Sequence, residues 1–393
     1  MKQPKYELAD VIKTFLCELS KKQGISNWQL YILDTLLQCR TASLGGHEDV
    51  CTQCGTITYS YNSCRNRHCP KCQGTDREKW IDAREADLLP VKYFHVVFTV
   101  PDVLHNLFLF HREELFNILF KTSWDVLKSF GGDPTWLGGQ VGATAILHTW
   151  TQQLLFHPHI HLIVPAGGIL TDGNWKNSRT GGDFLFPVGM LSDKFRGRFM
   201  AELRKWASHK NIVLRKSLRD KLFTNDWVVY AKQPFAGPKQ VIEYLGRYTH
   251  RVAISNNRIK EITQNHVTFS YIDRNDNDTK KELTIKGSDF LQRFIMHILP
   301  YGFTRIRHYG FLSSRNKSKS LASIRKILKV RAPEKRVRSW VEIAMERWGI
   351  NPFKCKECGG TKVFLRTIPK QRAPPLPILN DRPVIIQNFE NVG

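Results

Sequence analysis

The stretch HPHIHLIVP, residues 157–165, limits the fold more than any other part of the chain. Successive side chains of an extended strand point to opposite faces, so His157, His159 and His161 share one face while Ile160, Leu162 and Val164 share the other. The apolar side requires a hydrophobic layer, and Pro158 keeps His157 extended. The preceding segment QVGATAILHTW reads as a second strand that enters the same sheet. It carries His148, eleven positions before His159, where an adjacent antiparallel strand or a loop could return it to the other imidazoles.

The surroundings read as strands alternating with helices across residues 92–260, which implies an α/β or α+β domain with helices packed on a sheet. KYFHVVFTVPD is a buried strand ended by Pro101, and Val103 to about Lys128 is an amphipathic helix stopped by GGDPTW. A helix over Leu191–His209, a strand in DWVVYAKQPF and a helix in GPKQVIEYLGRYTH, with Pro238 inside its first turn, complete the domain. Residues 1–40 are helical in pattern, and Ile262 to Ile285 returns to short strands around an NDND turn. At 393 residues the chain is too long for one core, and two or three domains are expected. The proline-rich tail after Ile368 reads as an extended arm.

Seven of the nine cysteines precede residue 73, which does not resemble a disulfide framework spread over a secreted fold. Cys51/Cys54 and Cys69/Cys72 are two Cys-x-x-Cys pairs, each able to hold two thiolates on a tight turn against one tetrahedral Zn²⁺, and Gly55 and Pro70 suit such knuckles. Cys39, His47, Cys64 and His68 form a second full ligand set, so one or two structural zinc ions are expected. Cys355 and Cys358 make half of another ribbon, with no second pair following them.

Lys and Arg number 59 against 35 Asp and Glu, a net charge of +24 with a pI near 9.8, which suits a partner made of phosphates. No apolar run is long enough to span a bilayer and the first residues lack a signal-peptide core, so a cytoplasmic, nucleoid-associated location without membrane contact is expected. Between Arg305 and Arg338 stand twelve Lys or Arg and one acid, Glu334. Arg65 and Arg67 sit among the zinc ligands, and Arg247, His250 and Arg251 follow a helical tyrosine pair. All suit a phosphate backbone.

A His-x-His strand with a third histidine in reach offers neutral nitrogen ligands that leave coordination positions open, which could hold Mg²⁺ or Mn²⁺ against a phosphate. Tyr244 and Tyr248 lie four apart, on one helical face. On spacing alone they read more readily as an apolar stripe with Val241 than as nucleophiles.

His-hydrophobe-His followed by a tyrosine helix resembles the HUH endonucleases, which nick and rejoin single-stranded DNA. The motifs CRTASLGGH, YNSCRNRHCPKCQ, HTWTQQLLFHPHIHLIVPAGG and YLGRYTHRVAISN, in that order over roughly residues 30–310, resemble the rolling-circle transposases of the IS91 type. The resemblance implies an α+β fold. A helical segment 1–38 and a zinc-binding module 39–85 come first, then an HUH catalytic domain with a ferredoxin- or RRM-like sheet over 86–265. A basic DNA-binding region 266–345 and a knuckle with a proline-rich tail 346–393 follow.

It further implies His159 and His161 as the metal pair, with His148 as a looser third ligand that Gln153 or His157 could replace, and Tyr244 and Tyr248 as the nucleophiles. The implied partners are single-stranded or hairpin DNA at element ends and target DNA, held by Arg65, Arg67, Arg247, Arg251, Arg305 and Arg307, with Phe303, Tyr309 and Phe311 available to stack on bases. No Walker-A loop is present, so strand separation would fall to host helicases or replication. A replication initiator or mobilisation relaxase would share these residues. A zinc-dependent DNA-binding regulator would use the histidine strand for structure alone.

Overall fold

The computed structural model describes residues 4–22, 24–224, 227–232, 240–241, 246, 252–274, 276–334 and 336–371. The chain divides into two compact units, each drawn from separated stretches of sequence: 1–73, 254–298 and 350–393 in one, 74–253 and 299–349 in the other. The contiguous blocks read from the sequence differ from this division, because strand pairing joins segments that local composition cannot associate. Mixed helix and sheet, with N-terminal helices and a cysteine cluster ahead of a sheet domain, make the protein α+β.

In the first unit α1 (Leu8–Ser20) and α2 (Asn27–Leu37) both start with reciprocal capping boxes, Glu7 with Asp10 and Ser26 with Gln29. Helix Gly287–Ile295 packs on α1 so closely that a Cβ at Gly287 would meet the Phe15 ring at 2.3 Å. Strands β1 (Gly46–Cys51) and β2 (Ile57–Tyr61) form a hairpin. A strand from the far end of the chain, β13 (Lys362–Ile368), pairs antiparallel with β1 in the order β13-β1-β2. Strands β9 (Ile259–Ile262), β10 (His266–Asp273) and β11 (Thr279–Lys286) make a second small sheet, as the short-strand pattern suggested.

The second unit is built on a five-stranded antiparallel sheet. Its strands are β3 (Tyr93–Thr99), β4 (Gly142–Trp150), β5 (Phe156–Pro165), β8 (Val229–Lys232) and β12 (Ile306–Gly310), in the order β12-β4-β5-β3-β8. A two-stranded ribbon, β6 (Gly167–Ile169) with β7 (Trp175–Asn177), follows β5. Strand β12 comes from the segment read as a basic DNA-binding region and forms one edge of this sheet instead.

The helix expected over Val103–Lys128 is broken at His111, whose φ/ψ of −125°/50° separates α4 (His105–Phe110) from α5 (Arg112–Gly132). On one face of the sheet the core holds Phe98, Ile160, Leu162 and Val164, with Phe98 packed on Phe195 of helix Val188–His209 at a centroid distance of 4.8 Å. The other face carries Ile146 and Ile163, covered by Ile81 of α3 (Gln73–Glu85) and by Val241. This second face is the one that bears the imidazoles. Among the described residues no helix is long and apolar enough to cross a membrane.

Candidate functional site

The β4–β5 register brings the histidines together. His148 stands directly opposite His159, and Ile146 opposite His161. The ligand nitrogens of His148, His159 and His161 all lie within 4.8 Å of one another. Centroid distances are 4.6 Å for His148–His161 and 4.8 Å for His159–His161, and Trp150 stacks on His148 at 4.8 Å. His148 and His161 are 3% and 7% exposed, so they do not form an ordinary solvent-facing strand edge.

Hydrogen bonding settles which nitrogens face the cluster. The carbonyl oxygen of His157 can only accept, so His159 donates from Nδ1 across 2.7 Å and keeps its lone pair at Nε2. His161 uses Nδ1 in a 2.7 Å bond with Nε2 of His95, which likewise leaves Nε2 as its ligand atom. His95 lies on β3 and is buried. Sequence reading passed over it because a lone histidine in an apolar strand carries no motif; only the pairing of β3 with β5 reveals its partner. The three grouped side chains bring no carboxylate, so a divalent ion held there would keep its full charge for a phosphate.

Tyr244, Tyr248, Arg247 and Arg251 lie outside the described residues. Two described residues flank this region, Val241 on the histidine face and Gly246 against α3. Val241 is fully buried in the cluster with Ile81, Tyr93, Ile146 and Ile163, and a Cβ on Gly246 would come within 2.4 Å of Ile81 Cδ1.

The cysteines form two groups of four: Cys39, Cys64, Cys69 and Cys72, and Cys51, Cys54, Cys355 and Cys358. This corrects the expected pairing of Cys51/Cys54 with Cys69/Cys72. Lys71 donates to the Cys39 carbonyl at 3.3 Å and Arg40 to that of Lys71 at 3.1 Å, which holds the end of α2 against the Cys69–Cys72 turn. The Cys39 and Cys72 sulfurs are 3.2 Å apart. Crowding sets the thiols against one another: hydrogen bonds with Cys39, Cys64 and Cys69 pull Cys72 far below the usual thiol range, while those with Cys39, Cys64 and Cys72 push Cys69 far above it.

His47 and His68 belong to neither group. His47 Nε2 faces Asp49 at 3.5 Å, and buried His68 is anchored through its backbone amide to Asn66 Oδ1 at 2.9 Å. Cys355 and Cys358 complete a four-sulfur group, because the antiparallel pairing of β13 with β1 delivers them to Cys51 and Cys54.

Several cations expected to meet DNA are engaged within the second unit. Arg305 is buried, and the Arg307 guanidinium lies 4.1 Å from the Phe120 ring centroid and bonds Asn117. Arg338 is clamped by Asp82 at 2.7 and 2.5 Å. Phe303 and Phe311 are core residues, and Tyr309 stacks on Trp124 at 5.0 Å, so none of the three is an open stacking platform. Phe303, Arg307 and Tyr309 pack against Phe116, Phe120 and Trp124 of α5, where a basic, aromatic composition had suggested a surface. Arg65 is exposed, whereas Arg67 is half-buried, which lowers its pKa.

Against known proteins, residues 142–320 match a family model described as "Putative transposase", and residues 11–100 match one described as "Transposase zinc-binding domain". The chain is 40% identical over 341 residues to "Putative transposase y4qJ" of Sinorhizobium fredii (strain NBRC 101917 / NGR234), covering 83% of this chain and 85% of that protein. It is 28% identical over 359 residues to "Transposase for insertion sequence element IS801" of Pseudomonas savastanoi pv. phaseolicola, covering 89% and 86%. No solved structure matches it. A DNA-cleaving and strand-transferring enzyme with a zinc-binding domain is the class these matches define. The chain belongs to the IS91/IS801 family of insertion-sequence transposases.

Proposed function

We propose that the protein nicks and rejoins single-stranded or hairpin DNA at the ends of an insertion sequence by tyrosine transesterification, in a rolling-circle mode. The observation that carries this reading is the convergence of His148, His159 and His161 on one sheet face, with ligand nitrogens within 4.8 Å, in a chain of transposase ancestry.

Mg²⁺ or Mn²⁺ bound by these imidazoles would withdraw charge from a scissile phosphate. The phenol oxygen of Tyr244 or Tyr248 attacks phosphorus, the bond to the 3′ oxygen breaks, and the proton given up by the phenol ends on the released 3′-OH. The product is a 5′-phosphotyrosine whose bond energy drives rejoining when a 3′-OH attacks in turn, so no nucleotide cofactor is consumed. Two tyrosines allow a second strand to be cut before the first is released. His157, through its carbonyl, and His95, through its ring, hold the ligand imidazoles in one tautomer. The buried Ile146, Ile163 and Val241 give the site a rigid floor.

Zinc in the N-terminal domain is assigned to Cys39, Cys64, Cys69 and Cys72. Exposed Arg65 beside it is suited to the DNA backbone.

The test is a denaturing gel of purified protein with Mn²⁺ and a single-stranded end sequence. A protein–DNA adduct is expected with wild type, and none after His159→Ala with His161→Ala or after Tyr244→Phe with Tyr248→Phe. An adduct that persists in the double tyrosine variant overturns the nucleophile assignment. No adduct with any end or ion would favour a zinc-dependent DNA-binding regulator.

A further inference from the structure

We infer that Cys51, Cys54, Cys355 and Cys358 bind a second structural zinc ion, which clasps the C-terminal strand to the N-terminal hairpin. The family match to a zinc-binding domain ends at residue 100 and includes only one of the two pairs.

Both pairs are Cys-x-x-Cys-Gly turns of the same build. Gly55 and Gly359 adopt left-handed φ values of 69° and 75°, which a side chain would resist. Their amides donate to the carbonyls of Cys51 and Cys355 at 3.0 Å each. In the second turn the amide of Gly360 also points at Cys358 Sγ, 3.4 Å away, a donor placed to stabilise a thiolate.

The turns face each other in crossed fashion, with Cys51 Sγ 3.5 Å from that of Cys358 and Cys54 Sγ 3.8 Å from that of Cys355. A tetrahedral zinc with Zn–S bonds of ~2.3 Å has sulfurs ~3.8 Å apart, so the four are already at coordination spacing. Disulfide bonding would need about 2 Å. Backbone pairing fixes the approach: Cys51 is in register with Lys362, and Thr52 donates to the Thr361 carbonyl at 3.0 Å.

The consequence is a closure across 307 positions of sequence. The Cys51/Cys54 half of the site is completed only by residues that follow it by about 300 positions, and a chain lacking them keeps half a site. Cys54 and Cys358 are exposed, whereas the Cys39 group has no exposed member, so the clasp should also be the first to yield its ion to a chelator.

Native mass spectrometry of the full chain, with zinc quantified in parallel, tests this independently of any cleavage chemistry. Two zinc ions per wild-type chain are expected, and one after Cys358→Ser, Cys355→Ser or Cys69→Ser. Cys358→His, which preserves four ligands, should keep two. A wild-type chain with one ion that Cys358→Ser retains, or two ions surviving Cys358→Ser, overturns the clasp. Should the serine variants be insoluble, cadmium-loaded wild-type protein decides alone. Two four-thiolate cadmium resonances are expected, and a single one refutes the site.

Discussion

Replacing His95 by Phe isolates the part played by a residue that touches neither DNA nor metal in the proposed mechanism. His95 is 3% exposed and its Nε2 lies 2.7 Å from Nδ1 of His161. A neutral His161 that ligates through Nε2 must carry its proton on Nδ1 and donate it to His95. Phe keeps the bulk of the ring and deletes the acceptor. Losing a buried hydrogen-bond partner costs about 1–3 kcal/mol, and outer-shell partners of metal-bound histidine are worth about 10–100-fold in metal affinity or activity. The two scales agree, since ~1.4 kcal/mol is tenfold.

Adduct formation should therefore be titrated with Mn²⁺. The midpoint is expected to rise about 10–100-fold in His95→Phe, on the scale just given, with a plateau near that of wild type once the ion saturates. His95→Gln, whose Oε1 can accept the same proton, should recover most of the shift. A midpoint unchanged within about twofold, or a lost plateau at an unchanged midpoint, would refute the positioning role.

Arg338→Met strands the buried carboxylate of Asp82, whose side chain is 4% exposed, while Glu78 keeps Arg347 at 2.6 Å, and should cost about 3–5 kcal/mol in urea unfolding; a loss under about 1 kcal/mol would mean the pair is not formed in solution. Gly246→Ala places a Cβ 2.4 Å from Ile81 Cδ1, so overpacking of about 1–3 kcal/mol should exceed the ~1 kcal/mol gain in helix propensity and reduce the adduct yield, with Ile81→Val restoring part of it. His308 is held neutral, donating from Nδ1 to Thr144 Oγ1 at 3.0 Å and accepting from Arg84 at 3.1 Å; burial first, then Arg84 and Lys317, push its pKa down to about 4. The unfolded chain, with histidine near ~6.5, then binds more protons between those values, so stability falls as pH drops from about 6.5 to about 4. His308→Asn should be less stable than wild type at pH 7, with a gap in thermal midpoint that narrows toward pH 4.5, and a constant gap would contradict the assignment.

What the sequence made legible was whatever two neighbouring strands or one period could encode. The alternation in β5 placed Ile160 and Leu162 in a core and the histidines opposite them, and a connection of five residues between β4 and β5 left His148 little choice but to return beside His159. Long-range pairing is where local pattern failed. Cys51 and Cys54 find Cys355 and Cys358 because β13 adds to β1, and no spacing within residues 39–72 could reveal it, so the nearer Cys69/Cys72 pair took their place in the reading.

The same limit applies to single members of the basic run. Of the twelve cations in residues 305–338, Arg315, Lys319, Lys326, Lys329, Arg331 and Arg336 are exposed, whereas Arg338 is drawn to α3, which carries Glu78 and Asp82 one turn apart on the face that Arg338 and Arg347 reach. A basic run reports a phosphate-binding face only after the acids that can meet it within the fold have been subtracted. By that standard exposed Arg65, beside the cysteine group, is a stronger candidate for a DNA contact than Arg305 or Arg307.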